Sequence, residues 1–313
     1  MKSELQILKT KKNPRGWCLF WMSFRKKSAG LLFLKEIKLH FTLKQIGMNL
    51  KLNADRFTGT EYINLYHRFR PTPPIEIVHQ CLNYLGKSKA GIVADLGCGT
   101  GISTQVWSYF ATKVWGIEPS KDMISVAKKE NQFNNITYQE GYANDTGLPA
   151  NSVDIVSCSQ SFHWMEPIST LKEINRILKD DGVLAVYDVM WPPSANYEYE
   201  NAYNKLFMTV EQLTRKLGEI IAHKWKKEDH VKNIGECGFF KYAKESYYHK
   251  TEPLDKEKFI GIALSQGGLE ALLKHGFSEK EIGIIQFKNE INSIKNVVAD
   301  QMTYNYRVIY GIK

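Results

Sequence analysis

The amino-acid sequence predicts an α/β fold built on a doubly wound, mostly parallel β-sheet. Five short apolar runs between residues 91 and 190 alternate with segments of helical periodicity. The first run is followed at once by a glycine-rich turn, GCGTG, at residues 97–101. Strands that alternate with helices in this way form parallel sheets covered by helices on both faces.

The periodic pattern places the predicted elements in order. Apolar residues at helical spacing in PPIEIVHQCLNYL (73–85) predict a first helix. Further helices are predicted over 102–111, after the N-cap Ser120, and over 170–182, where Gly182 ends the helix. The five predicted strands cover residues 91–97, 113–119, 135–140, 152–159 and 183–190.

The chain after Pro193 has a different pattern, with long stretches rich in Lys, Glu and aromatic residues that predict helices. In its last segment, MTYNYRVIYGI (302–312), every second residue from Met302 to Ile312 is apolar or aromatic. This alternation predicts a strand at the end of the chain.

The positive charge of the chain is confined to its first 47 residues. The formal net charge is +9, and residues 1–47 hold eleven Lys or Arg and two Glu, which leaves 31 residues of each sign in 48–313. A charge-balanced body does not attract a polyanion, so no nucleic-acid partner is expected.

The segment 1–47 contains an apolar run, WCLFWMSF (17–24), between basic stretches. Eight residues are far fewer than the roughly 20 that a membrane span needs, so no stable membrane insertion is expected. The segment is either a basic, aromatic anchor for a membrane surface or an extension, disordered or not native, upstream of a start at Met48.

The five cysteines are scattered and form no CxxC pair, and no His/Cys cluster has metal-ligand spacing. Neither a metal nor a disulfide framework is therefore expected. Free thiols fit a reducing compartment and predict a cytoplasmic protein.

The glycine turn is the strongest sequence signal for a ligand. Gly97, Gly99 and Gly101 form GxGxG, whereas the dinucleotide fingerprint GxGxxG requires a glycine where this chain has Ile102. Asp95 precedes the turn, and its carboxylate disfavours a polyphosphate and suits an ammonium or sulfonium group. Glu118 ends the second predicted strand, where a carboxylate can accept both hydroxyls of a ribose.

Five segments in this order resemble the motifs of the class I S-adenosylmethionine-dependent methyltransferases. They are DLGCGTG (95–101), GIEPS (116–120), GYANDTGLP (141–149), SVDIVSCSQSFHW (152–164) and LKEINRILKDDGVLAV (171–186). Within the class, the chain resembles the type-11 small-molecule group that includes trans-aconitate methyltransferase-like enzymes.

The resemblance implies a Rossmann-like, seven-stranded sheet with an antiparallel C-terminal strand and a helical cap. It implies a methyltransferase domain over 48–313, with the cofactor-binding core in 91–190 and the cap and last strands in 191–313. The implied cofactor is S-adenosylmethionine, and its expected ligands in the first two motifs are Asp95, Gly97, Gly99, Thr100, Gly101, Glu118 and Pro119.

The adenine side shows one departure from the family, because Tyr142 stands where many relatives place an acid. Contact with the adenine is therefore left to the backbone near Ala143, to the Asn144 side chain or to stacking on Tyr142. Met123 either contacts the adenosine or belongs to the core.

The segment SQSFHWM (159–165) follows the fourth predicted strand, and ligands of such sheets bind at the carboxyl ends of strands. We expect Gln160 near the methionine end of the cofactor and Phe162 and Trp164 in the acceptor pocket. His163 is the candidate catalytic base, with a structural histidine as the alternative.

Two other segments are of interest: one contains candidate substrate contacts, and the other is a run of basic residues. In the resembling family, the helix around YINLYHRFR (62–70) closes over the cofactor, which makes Tyr66 and Arg70 candidate substrate contacts; a surface arginine is the alternative for Arg70. The basic run AHKWKKEDHVK (222–232) is interpreted as a solvated helix face.

The leading hypothesis is methyl transfer to a small-molecule acceptor by an enzyme that works as a monomer or homodimer. An in-line displacement needs proximity and alignment, and a base only if the acceptor carries a proton. The alternatives are a nucleic-acid methyltransferase, a non-catalytic cofactor-binding protein and, least favoured, a nicotinamide oxidoreductase. Methyltransferases that modify the amino groups of nucleic-acid bases resemble one another in a tetrad, [ND]PP[YF], after the fourth strand. This chain has SQSF at that place, which disfavours the nucleic-acid alternative.

Overall fold

The computed structural model describes residues 50–218, 223–295 and 301–313, so the predicted extension over 1–47 lies outside the described residues. The strands are β1 (Ala90–Leu96), β2 (Ala111–Glu118), β3 (Ile136–Glu140), β4 (Val153–Ser159), β5 (Leu178–Ser194), β6 (Tyr242–Pro253) and β7 (Gln301–Ile312). They form one sheet in the order β3-β2-β1-β4-β5-β7-β6.

Residues 50–55 are helical and precede α1. The helices are α1 (Thr60–Phe69), α2 (Ile75–Leu85), α3 (Ile102–Trp107), α4 (Lys121–Lys129), α5 (Pro167–Ile177), α6 (Tyr197–Leu217), α7 (His230–Glu236), α8 (Lys256–Leu264), α9 (Gly267–Lys274), α10 (Glu279–Ile282) and α11 (Ile284–Ser293). No helix within these ranges is long and apolar enough to cross a membrane.

The sheet confirms the predicted topology. The pairs β1–β2, β1–β4, β2–β3 and β4–β5 are parallel, whereas β7 pairs antiparallel with both β5 and β6. Among the described strands, β7 therefore runs against the other six. Because successive side chains of a strand face opposite sides, Val93 belongs to one hydrophobic cluster and Ala94 to the other, so both faces of the sheet are buried.

Two of the predicted helices end earlier than expected, and the strands that follow them begin earlier. The helix predicted over 170–182 ends at Ile177, because Leu178 has extended backbone angles and begins β5. The helix predicted over 102–111 ends at Trp107, and β2 already starts at Ala111.

The interpretation of the chain after Pro193 as helical is wrong for residues 242–253, which form β6. This strand pairs with β7 over its whole length and alternates between half-buried and exposed side chains. Its Lys and Glu residues suit an edge strand, and the same composition made the segment resemble an exposed helix.

The buried histidines His163 and His230 make the stability of the fold depend on pH. Burial lowers the pKa of each imidazole to about 4, and His230 is fully buried beside the edge of the Phe162 ring. An unfolded histidine has a pKa of about 6.5, so the unfolded chain binds more protons between pH 6.5 and 4. The stability that these neutral rings contribute is complete above pH 6.5 and is lost as the pH falls towards 4.

We predict that His230→Phe, which keeps an aromatic ring without a titratable nitrogen, loses less stability than the wild type between pH 7 and pH 5. Urea unfolding at both pH values measures this difference, and the other titrating groups cancel in the comparison of the two proteins. Equal losses of stability in both proteins would contradict a lowered pKa for His230.

Candidate functional site

A cleft of about 700 Å³ opens at the carboxyl ends of β1, β2 and β4. This is the edge at which open α/β sheets bind their ligands. The predicted cofactor residues that line it are Gly97, Gly99, Glu118, Pro119, Met123, Tyr142, Ala143, Asn144 and Gln160.

The glycine turn between β1 and α3 needs glycine at three positions, because Gly97, Gly99 and Gly101 have φ angles of +65°, +55° and +82°. A Cβ on Gly97 would lie 2.6 Å from the Cβ of Ser161, and one on Gly101 would lie 2.3 Å from the Tyr138 hydroxyl. A Cβ on Gly99 would meet nothing within 4 Å. The turn is therefore packed at Gly97 and Gly101, and at Gly99 it exposes its backbone to the cleft.

Asp95 lies beneath the turn and not along the cleft, which corrects its expected role as a direct ligand. Its carboxylate is fully buried, and it accepts hydrogen bonds from the hydroxyls of Ser103 (2.7 Å), Thr104 (2.7 Å) and Ser157 (2.6 Å). These bonds join β1 to the first turn of α3 and to β4. Gly101 is likewise not a lining residue, since it caps α3 and packs on Tyr138.

Glu118 is the buried acid of the cleft. One carboxylate oxygen accepts from the Gly99 amide at 3.1 Å and the other from the Ser120 amide at 2.9 Å. Burial raises the pKa of Glu118 to about 7, because these two amides only partly replace the lost water. Each oxygen keeps a lone pair, so the carboxylate can accept two hydroxyl groups.

The adenine side of the cleft is formed by residues that follow β2 and β3. Met123 lines the cleft and is also buried in a small cluster with Tyr62 and Ile63, so it belongs to the core, and its contact with the adenosine stays a prediction. The Tyr142 ring is 38% exposed at the rim, where a planar group could stack on it.

A smaller cleft of about 340 Å³ adjoins the turn and is lined by Tyr66, Arg70, Thr100 and Gln160, among others. The Thr100 hydroxyl is buried and has no hydrogen-bond partner among the described residues. Gln160 has a positive φ of 52°, which is uncommon for a residue other than glycine. Its backbone amide donates to the Tyr187 carbonyl. These groups fit the polar methionine end of a cofactor.

A third, open cavity of about 1710 Å³ lies on the other side of Tyr66 and Gln160, and we call it the acceptor cavity. Four residues line both it and the first cleft: Phe57, Tyr66, Gln160 and Trp164. Arg70 and His163 also line this cavity, and their roles toward an acceptor stay predictions. Phe162 does not line it, because its ring is fully buried against His230, and its expected role as a substrate contact is wrong.

His163 is held beside an acid. Its Nδ1 lies 3.3 Å from Asp188 Oδ1, and Lys227 Nζ lies 2.7 Å from the same oxygen. His163 and Lys227 hold the pKa of Asp188 well below its usual range, whereas burial lowers the pKa of His163. The imidazole is therefore neutral at pH 7 and has the protonation state of a base.

Arg70 is fixed by several contacts and is not a free surface arginine. Its guanidinium donates to the Ser265 carbonyl at 2.9 Å and to Gln266 Oε1 at 3.0 Å. It also lies over the rings of Tyr66 and Trp191, 4.8 and 5.2 Å from their centroids.

Sequence reasoning missed the segment 50–57, whose residues Leu50, Asn53, Ala54 and Phe57 line the first cleft. Asn53 donates to the carbonyls of Trp164 (2.9 Å) and His223 (2.7 Å), which ties this segment to both sides of the site. The segment has no motif. Only its position just before the helix that resembles the closing helix of the family could have indicated it.

Within the described part of this run, residues 223–232, the interpretation as a solvated face is wrong for His230, which is fully buried. Lys224 is exposed and Lys227 is half-buried, and both line the acceptor cavity. Their position at this cavity follows from the tertiary structure and could not be predicted from the basic run alone.

Comparison with known proteins agrees with this geometry. Residues 94–186 match the methyltransferase domain family known as Methyltransf_11. A Saccharomyces cerevisiae protein named as a probable S-adenosylmethionine-dependent methyltransferase is 28% identical over 166 residues, which are 48% of this chain and 57% of that protein. A ubiquinone/menaquinone biosynthesis C-methyltransferase of Campylobacter jejuni is 35% identical over 104 residues, 31% of this chain and 43% of its own. The chain thus spans about half the length of these curated relatives.

The fold is shared with a protein from Anaeromyxobacter dehalogenans that has been assigned to the type II methyltransferases. The two structures align with a TM-score of 0.57 and 18% identity, covering 78% of this chain and 97% of the other.

These matches, the sheet order and the glycine turn all point to one class of protein. Residues 94–186 match the methyltransferase domain family, and the matches support a class I S-adenosylmethionine-dependent methyltransferase, a class whose cofactor is S-adenosylmethionine.

Gly99 and Gly101, the second and third glycines of the turn, allow cofactor binding and stability to be tested separately. Gly99→Ala faces open space and adds only the cost of a left-handed alanine, about 1 kcal/mol. Its methyl group enters the cleft, so we expect a loss of affinity for S-adenosylhomocysteine of tenfold or more, measured by calorimetry.

Gly101→Ala is the matched control, because its Cβ points at Tyr138 and away from the cleft. It should lower the melting temperature more than Gly99→Ala does. A larger stability loss for Gly99→Ala, with unchanged affinity, would show that the turn does not face the cofactor.

Proposed function

We propose that this protein transfers a methyl group from S-adenosylmethionine to a small molecule held in the acceptor cavity. The observation that carries the proposal is the arrangement of the two cavities: the cleft with the glycine turn and Glu118 shares four lining residues with the larger, open acceptor cavity. A methyl group at this boundary would face both donor and acceptor.

The residues present fit the cofactor. The ionised Glu118 would accept the ribose hydroxyls, and the Gly97–Gly99 backbone leaves room for close approach. Pro119, Met123, Tyr142, Ala143 and Asn144 would surround the adenine. Gln160, Tyr66 and the unpartnered Thr100 hydroxyl would hold the methionine end.

When bound, the cofactor supplies an electrophilic methyl group on a sulfonium. The chain's own contribution is to position the acceptor, to exclude water and to surround the boundary with Phe57, Tyr66 and Trp164. Aromatic rings at this place favour a sulfonium over the neutral thioether through cation–π attraction. His163 is proposed as the base for an acceptor that carries a proton, because it lines the acceptor cavity in its neutral form.

The small-molecule acceptor is favoured over nucleic acid because residues 48–313 carry equal numbers of basic and acidic residues. We also propose that the protein acts in the cytoplasm as a monomer or homodimer. The described cysteines, Cys81, Cys98, Cys158 and Cys237, are free thiols, which fits a reducing compartment.

The direct test supplies the purified chain with S-adenosylmethionine labelled in its methyl group and a fractionated extract of small molecules. We expect label in a small-molecule fraction with the wild type and none with Glu118→Gln. Label only in added RNA, or no difference between the two proteins, would contradict the proposal.

Glu118 predicts that cofactor affinity depends on pH. Its pKa is about 7 without ligand, and hydroxyl donors favour the ionised form, so binding lowers the pKa and releases a proton below pH 7. The affinity for S-adenosylhomocysteine should therefore fall by about tenfold from pH 8 to pH 6. Calorimetry of the wild type and of Glu118→Gln checks this, and the variant should bind more weakly at pH 8 and lack the pH dependence.

His163→Gln should lower kcat without changing the pH profile between pH 6 and 9, because a histidine with a pKa of about 4 is neutral throughout this range. Steady-state rates with the acceptor identified above measure both quantities. An unchanged kcat would leave His163 a purely structural role. A profile whose acidic limb near pH 6.5 disappears in the variant would contradict the lowered pKa.

A further inference from the structure

The acceptor cavity contains five cationic side chains, and they differ in whether an acid compensates them. Arg215 pairs with Glu211 at 2.5 Å, and Lys227 lies 2.7 Å from Asp188. The other three cations are Arg56, Arg70 and Lys224, and none of them has a carboxylate within ion-pair distance in the described parts of the chain.

Two of these cations meet over one ring at the boundary between the cavities. The Arg56 guanidinium lies 5.0 Å from the centroid of the Trp164 ring, and Lys224 Nζ lies 4.8 Å from it. The Arg56 Nε is buried without a hydrogen-bond partner among the described residues. Burial and the neighbouring Arg56 lower the pKa of Lys224 to about 8, so the pair repels itself in the absence of an anion.

Part of the cavity lining is apolar, while Asn204, Glu211 and Thr214 add polar groups to it. Trp191, Tyr203, Phe207 and Val210 form the apolar part, and the rings of Tyr203 and Phe207 stack with centroids 4.4 Å apart. The cavity therefore combines an uncompensated positive region with an aromatic wall, and a ligand complementary to both has a negative group on an apolar body.

We propose that the acceptor is an amphiphilic organic anion, a carboxylate with an alkyl or aryl body, whose charge is bound by Arg56 and Lys224 beside Trp164. The proposal deepens the proposed function and rests on it for the identity of the cavity. Arg70 adds positive potential near Gln160, while its hydrogen bonds to Ser265 and Gln266 hold it in place. The charge balance of residues 48–313 does not oppose this, because the positive charge is local to the cavity.

The test compares straight-chain carboxylates with primary amides of the same length, by thermal shift and calorimetry on the full chain, with and without saturating S-adenosylhomocysteine. Carboxylates should bind at least tenfold more tightly than their amides, because the amide lacks the charge that pairs with Arg56 and Lys224. Affinity should also rise about threefold to fourfold for each added methylene group until the apolar wall is covered.

The matched variants are Arg56→Gln and Arg215→Gln, which remove the same type of charge from the same cavity. Arg56→Gln and Lys224→Met should each abolish most of the preference for carboxylates, and Arg215→Gln, whose cation is already paired, should retain it. If Arg56→Gln does not fold, Arg56→Lys replaces it and should retain the preference, while Lys224→Met carries the test.

Two failures are distinguishable. Amides that bind as tightly as carboxylates to a protein that binds S-adenosylhomocysteine would overturn the anionic acceptor and leave the methyltransferase proposal intact. A protein that prefers carboxylates but does not bind S-adenosylhomocysteine would contradict the proposed function and leave the anion site standing.

Discussion

The buried carboxylate of Asp95 is the constraint on which the site depends. A carboxylate removed from water is costly unless its oxygens are satisfied, and three hydroxyls from α3 and β4 satisfy it here. This arrangement fixes where β1 ends and where α3 begins. The glycine turn between them is consequently held with its backbone against the cleft, and the Gly99 amide reaches Glu118.

The second acid is also buried, but it has a different set of donors. Glu118 receives two amide donors where Asp95 receives three hydroxyls, and burial raises the pKa of both carboxyls, that of Glu118 to about 7. Asp95 anchors the turn, whereas Glu118 faces the cleft and is the acid that we propose for the ribose. The adjoining cavity adds three cations without a carboxylate partner among the described residues, and we propose that these cations bind the acceptor.

The core of the fold could be predicted from the sequence because its signals are local. Alternating strands and helices, the glycine turn and the strict alternation of the last strand each depend on neighbouring residues. β6 could not be predicted in this way, because an edge strand rich in Lys and Glu has no buried face of its own to mark it. The position of Asp95 beneath the turn and the place of Lys224 beside Trp164 depend on residues distant in sequence. The segment around Asn53 also depends on such contacts, since its partners lie more than 100 residues away.

In the proposed function, the glycine turn and Glu118 hold the sulfonium at the boundary of the two cavities. A crystal structure of the chain with S-adenosylhomocysteine would show whether they do. We expect the ribose hydroxyls on Glu118 and the sulfur beside Gln160, with an open path to the acceptor cavity past Tyr66 and Trp164. A ligand whose sulfur points away from that cavity, or whose ribose does not contact Glu118, would contradict this arrangement.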